Sequence, residues 1–148
     1  DRIVTIECIE HCRNYKKLFS KMKNILNVDG FCFIHILATK GNSVILDNNS
    51  WMGRNFFTGG IIPSVNLFDY FNEDLCITNK EIISGCDYSK TLDAWLNNMY
   101  LNEKKIREVF DKDFDKEYQK WRLFYLMSSE SFNYDNGNDM CVAYYIMK

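Results

Sequence analysis

Five consecutive residues, Glu7-Cys8-Ile9-Glu10-His11, hold two carboxylates, an imidazole and a thiol. Two acids beside an imidazole suit proton transfer, or the attraction and orientation of a cation. A bland alternative stands next to this one, because acids at the start of a helix complement its dipole. Cys8, His11 and Cys12 also invite a zinc reading, but no second cysteine pair follows at finger spacing, so no metal is expected. Further along, His35 interrupts the apolar run Phe31-Cys-Phe-Ile-His-Ile-Leu37. A core histidine that hydrogen-bonds a neighbour would explain it, and so would a second titratable group at the site of the acids. Phe56-Phe57-Thr58-Gly59-Gly60 lacks the spacing of a dinucleotide loop, and no phosphate-loop or metal motif occurs elsewhere. Tyr88 and Arg122 are individually unremarkable, and a surface position is the default for both.

These groups need a scaffold. Ile3, Val4 and Ile6 read as a buried strand that ends at Glu7. Asn14 then precedes Tyr15, Leu18, Phe19, Met22, Ile25 and Leu26 at helical spacing. Asp29-Gly30 turns the chain into the strand around His35. Strand, helix and strand with short joints make a βαβ unit with parallel strands, whose carboxyl ends form the ligand crevice of open α/β sheets. Glu7, Glu10 and the end of the His35 strand should therefore meet. Residues 39–63 are less regular, and Ser64 is expected to cap a helix over Val65–Phe71. Cys76–Ile83 has strand character, helices follow from Lys90, Asn136-Gly137 is a tight turn, and Met140–Met147 is the last strand. A doubly buried strand opens the sequence, so further strands are expected to cover Ile3 to Ile6, in a larger α/β domain.

Composition narrows the function classes. The 148 residues carry 18 Lys and Arg against 20 Asp and Glu, which excludes a strongly basic nucleic-acid module. At 47% hydrophobic residues there is enough apolar surface for a core. Phe31–Ala38, the longest apolar run, is far short of the roughly 20 residues of a membrane span. Six cysteines without a signal segment read as reduced thiols in a cytoplasmic protein. Aromatic residues at 16% suit either an aromatic core or a pocket for an organic molecule.

Asp1-Arg-Ile-Val-Thr-Ile-Glu-Cys-Ile-Glu-His11 resembles the fourth-strand motif of one methyltransferase family. It comprises the cyclopropane-fatty-acyl-phospholipid synthases, the mycolic acid cyclopropane synthases and the plant coclaurine-type N-methyltransferases. Asn14-Tyr15, Phe33-Ile-His35, Trp51, Phe56 to Gly60, Pro63-Ser64, Tyr88 with Lys90-Thr-Leu, and Trp95 follow in that family's order. Trp121-Arg122, Glu130-Ser-Phe132, Tyr134 and Asn136-Gly137 resemble its plant branch.

The resemblance implies a Rossmann-like class I S-adenosylmethionine (SAM) methyltransferase, and here its C-terminal portion, strands four to seven. Residues 1–38 would be a βαβ unit of the core. Residues 39–74 and 89–134 would be mainly helical substrate cover, and 75–88 and 138–148 the last strands. The glycine-rich SAM loop and the acidic ribose-binding strand of the family do not occur in these residues, so residues 1–148 alone are expected to bind SAM weakly and to be inactive. Ile6 is the implied cofactor contact. Glu10, His35 and Tyr88 match positions that hold a bicarbonate base in the cyclopropane synthases. Glu7 falls where those synthases usually have glycine and the coclaurine-type enzymes have glutamate. The resemblance therefore implies a small amine as substrate, with Glu7, Glu10, His11, His35 and Tyr88 as catalytic residues. Trp51, Phe57 and Arg122 are the implied substrate contacts. The alternatives are a lipid methyltransferase like the cyclopropane fatty acid synthases, or a non-catalytic fragment. A homodimer, or a separate N-terminal fragment, is expected to pair with the open edge of the first strand.

Overall fold

The computed structural model describes residues 1–148, and its central sheet is organised by the alternation along β2. In β2 (Phe31–Thr39) Cys32, Ile34, Ile36 and Ala38 are buried on one face, while Phe33, His35 and Leu37 stand half-buried on the other. β1 (Arg2–Ile6) pairs parallel with β2 and lies at the edge of the sheet. A parallel pair needs a crossover, which α1 (Tyr15–Ile25) supplies. The Asn14 side chain caps that helix by accepting from the Lys17 amide at 3.0 Å. Tyr15, Phe19 and Met22, spaced by four and three residues, bury one face of α1 against the even-numbered side of β2.

Three elements are less regular than the sequence suggests. Residues 39–74 are not mainly helical. They form a small hairpin of β3 (Val44–Ile45) and β4 (Ile61–Ile62), enclosing the short α2 (Trp51–Asn55). Ser64 does not cap a helix at Val65. It bridges to Thr39, and only a 3-10 turn, Leu67–Phe71, follows. The segment 75–88 is not all strand either. β5 (Ile77–Ser84) stops where the Ser84 side chain accepts from the Cys86 amide, and α3 (Gly85–Leu101) starts there rather than at Lys90.

α4 (Glu103–Phe110) and α5 (Phe114–Gly137) complete the helical part. Asp111, at φ 45°, breaks the chain between them. The regular part of α5 ends before Tyr134, because Asp135 and Asn136 adopt left-handed backbone and make the turn read from Asn136-Gly137. β6 (Met140–Met147) then inserts antiparallel between β2 and β5, giving the order β1-β2-β6-β5. Fifteen buried residues fill the core between this sheet and α1. A smaller cluster, Leu96, Met99, Phe114 and Tyr118, holds α3 to α5.

At the sheet edge Val4 is 64% and Ile6 58% exposed, on a face of β1 that nothing in these residues covers, and β1 pairs with β2 alone, which leaves its outer edge open. No helix is long and apolar enough to cross a membrane. All six cysteines carry free thiols.

Candidate active site

β1 and β2 deliver the two acids and the imidazole to one end of the sheet. Ile6 and His35 are register partners, and the Glu7 amide donates to the His35 carbonyl at 3.0 Å. Glu7 itself sits at φ 47°, in the left-handed region that favours glycine. A glutamate in that conformation is strained, and strain of this kind collects at functional sites. The backbone then coils into the 3-10 turn Ile9–His11, which buries Glu10 to 6% exposure. Tyr15 clamps the turn to α1 by donating its hydroxyl to the Ile9 carbonyl at 3.2 Å.

The electrostatics follow from this placement. His35 Nδ1 lies 3.0 Å from Glu7 Oε1, close enough for an ion pair but off the line a hydrogen bond requires. Glu7 Oε1, Glu10 Oε2 and His35 Nδ1 are consequently buried polar atoms without a hydrogen-bond partner. Such atoms are uncommon in folded proteins. Burial, reinforced by the Glu10 carboxylate, pushes the Glu7 pKa from 4.5 up to about 7. Burial also raises that of Glu10 and lowers that of His35. Tyr88 is pushed up to about 12, chiefly by burial and then by the negative charges of Glu7 and Glu10.

The Glu7 shift has a consequence for folding. An acid whose folded pKa lies above its unfolded value favours the folded state only while protonated. Its contribution is complete below about pH 4.5 and is lost as the pH rises to about 7. The urea midpoint of the protein should therefore fall between pH 4.5 and pH 7 relative to that of Glu7→Gln. Parallel midpoints across that window would contradict the burial of Glu7.

A cavity of about 200 Å³ opens beside the acids. Glu10, His11, Tyr88 and Phe57 line it. Glu7 and His35 do not reach its wall, although they stand next to Glu10. Phe57 is positioned by a tied loop, in which Arg13 donates two hydrogen bonds to the Gly59 carbonyl and Asn48 accepts from the Gly59 amide. Trp51 is one layer back, packed on Phe56 at 5.6 Å between ring centres, while Phe56 in turn packs on Phe124 of α5 at 4.4 Å. Arg122 does not line this cavity. It points outward from α5, where it donates to the Tyr100 hydroxyl at 3.1 Å and to Gln119. Its neighbours Trp121 and Phe124 take the inward positions of that turn. Phe124 and Ser128 line the cavity without having been singled out as sequence candidates. Only their helical spacing, four residues apart on an aromatic-rich helix, hints at a shared face.

A larger apolar groove of about 640 Å³ runs between α3, α4 and α5, sharing Trp95 with the cavity. It presents no carboxylate or imidazole, so the chemistry belongs to the smaller space. No group of three His, Cys, Asp or Glu side chains is arranged to hold a metal ion.

A parallel pair followed by a reversed strand inserted before β5, with acids at the carboxyl end of β1, defines the class I SAM methyltransferase fold. Within that class the assignment is specific: the sequence model of the mycolic acid cyclopropane synthetase family matches residues 1–141, and the chain belongs to that family. (S)-coclaurine N-methyltransferase of Thalictrum flavum subsp. glaucum is 30% identical over the whole chain, which covers 44% of that protein. The enzyme of the same name from Papaver somniferum is 28% identical, with 45% of it covered. The crystal structure of coclaurine N-methyltransferase bound to N-methylheliamine and SAH superposes with a TM-score of 0.91 at 30% identity, covering all of this chain and 48% of that one. A cyclopropane synthase of Mycobacterium tuberculosis shares the fold, with a TM-score of 0.79 at 17% identity over 99% of this chain and 54% of that one. The chain thus spans about half the length of the relatives it matches.

Proposed function

We propose that this chain carries the amine-binding part of a SAM-dependent N-methyltransferase that acts on a small organic amine. The observation that carries this reading is the pair of half-buried to buried carboxylates Glu7 and Glu10 at the end of β1, with Glu10 lining an aromatic-walled cavity. An ammonium group, with several donors and one positive charge, would satisfy the carboxylate oxygens and hold them ionised. The strained backbone of Glu7 supports the same reading, since a glycine there would relieve the strain and remove the charge.

Ile6 fits the flank of the cofactor, because it is exposed at the carboxyl end of β1 beside Glu7. SAM, when bound, supplies an electrophilic methyl group. The residues of this chain then have three tasks. Glu7 and Glu10 attract the protonated amine and aim its nitrogen. Ionised Glu10, or His11 at the mouth of the cavity, accepts the proton that must leave before the lone pair is free. Phe57, backed by Phe56 and Trp51, walls the space, keeps water out and offers its face to a cation. Tyr88, kept neutral by its raised pKa, offers a hydroxyl donor rather than a base.

A lipid methyltransferase is the second reading. The family match and the set Glu10, His35 and Tyr88 favour it, but it leaves the second carboxylate, Glu7, without a positive charge to pair with. The open edge of β1 is the proposed seam at which a further strand, from a preceding segment or a second copy, continues the sheet, and a cytoplasmic setting agrees with six free thiols. Methyl-labelled SAM, offered to the intact protein with phenethylamine and N-methylphenethylamine or with unsaturated phospholipid vesicles, separates the readings. Label is expected in an amine. Label confined to the lipid would overturn the proposal.

A further inference from the structure

We propose that Arg13 is a positioning residue for the reaction. It holds the loop that carries Phe57 against the turn that carries Glu10 and His11, so that the aromatic wall and the acids close on the substrate as one unit. This rests on the amine reading above and adds to it a residue outside the cavity lining. Glu10 and His11 line the cavity from the turn after β1, and Phe57 lines it from the loop between α2 and β4. Elements that far apart in the chain keep a fixed spacing only where something ties them. Arg13 does so, with Nε 3.2 Å and Nη2 3.0 Å from the Gly59 carbonyl oxygen.

Both ends of this tie are anchored. The Cys12 amide donates to the Ile9 carbonyl at 2.9 Å and closes the turn, and Asn14 caps α1, so Arg13 leaves from a short joint between two fixed elements. Gly59 adopts φ 74°, a conformation that favours glycine. Its amide donates to the Asn48 side chain at 2.9 Å while its carbonyl takes the guanidinium. The loop's other hydrogen bonds stay within its own segment. The Thr58 hydroxyl donates to the Gly53 carbonyl at 3.2 Å, the Gly60 amide to Phe57 at 3.1 Å, and the Leu46 amide to Gly60 at 3.1 Å. The Arg13 pair is therefore the one hydrogen-bonded link from this loop to the turn of the acids. On its other side the loop rests on Phe124, whose ring centre lies 5.9 Å from that of Phe57. Surface charge pairing does not account for Arg13, which is exposed and forms no ion pair with any carboxylate. Its charge alone would repel a cationic substrate, so its contribution to the site is the tie.

Initial rates of the intact enzyme with phenethylamine and N-methylphenethylamine, at saturating SAM, test this. Arg13→Ala should raise the amine KM about three- to tenfold, the worth of one net hydrogen bond, and leave kcat within about twofold. Arg13→Lys keeps the charge and one donor, and its KM should fall between the two. Adding Arg13→Ala to Phe57→Ala should change KM by less than about twofold, because the wall that Arg13 holds is already gone. Hydrogen exchange without amine gives a readout apart from activity. The Gly59 and Gly60 amides should exchange about tenfold faster in Arg13→Ala, with those of β2 and β6 unchanged. A lower KM in Arg13→Ala would overturn the inference, since that is relief of charge repulsion. A loss of kcat at unchanged KM would overturn it as well, being loss of folded enzyme. So would a full effect in the Phe57→Ala background, which places the action of Arg13 elsewhere. Each of these three results leaves the amine reading standing. A parent enzyme that methylates neither amine would overturn the amine reading and this inference with it.

Discussion

Glu7→Gln, measured in the intact protein, is expected to lower kcat/KM for the amine by about tenfold to a few hundredfold. That range corresponds to one charge-assisted contact of about 1.5–3 kcal/mol. The substitution keeps the shape and the left-handed backbone at φ 47°, so the loss reports the charge alone. Most of the effect should appear in KM, because the carboxylate attracts the ammonium form before any methyl moves. Glu10→Gln should act more on kcat, because Glu10 faces the cavity and stands where a proton must be accepted. The pH profile gives a second signature. Glu7 is ionised only above about pH 7, so amine capture should strengthen as the pH rises through that value, and Glu7→Gln should erase this rise. If Glu7→Gln left kcat/KM unchanged while Tyr88 and His35 substitutions abolished activity, the lipid reading would take its place.

Glu7 also shows where sequence reasoning stops. The βαβ unit was legible because the period-2 burial of β2 and the spacing of Tyr15, Phe19 and Met22 are local patterns that long-range packing reinforces. The cavity residues Glu10, His11 and Tyr88 were legible through a resemblance in motif order, and Phe57 through its place in an aromatic-glycine loop. The strain at Glu7 was not, because a positive φ at glutamate goes against its own preference and occurs beside a long-range link from its amide to the His35 carbonyl. Arg122 stands outside the cavity lining for a different reason. Its neighbours face inward, and along a helix adjacent residues cannot share a direction. Ser128 escaped notice because a lone serine in a helix carries no signal until the space in front of it is known. The start of α3 lies five residues before Lys90, at Gly85, whose lack of a side chain lets that helix begin against β6 and α5.

Gly85→Ala should accordingly cost about 3 kcal/mol or more, in the upper part of the range for overpacking. Alanine is ordinarily better than glycine in a helix by about 1 kcal/mol, so propensity alone predicts the opposite sign. At Gly85 an added methyl would lie 2.3 Å from the carbonyl oxygens of both Met140 and Phe132. Both atoms belong to backbone, one at the start of β6 and one near the end of α5, so neither can swing aside as a side chain would. Either α3 must lift off the sheet or the turn at Asn136-Gly137 must move, and that turn is itself wedged against α3, with Gly137 leaving a methyl only 2.5 Å from the Cys86 amide. For a chain of this size about 3 kcal/mol corresponds to a fall of roughly 6–12 °C in Tm. Gly41→Ala is the matched control, since its methyl would meet the Thr39 hydroxyl at 3.4 Å and an Asp139 carboxylate oxygen at 4.0 Å, both side-chain atoms, and should leave Tm within about two degrees. The site should register the same change. Tyr88 lies one turn into α3 and Phe132 packs on its ring at 4.5 Å, so displacing Gly85 moves both walls of the cavity at once. A Gly85→Ala protein that melts with the parent would mean that α3, α5 and β6 do not meet at this point, and that Tyr88 is not held beside Glu10 in the way the geometry requires.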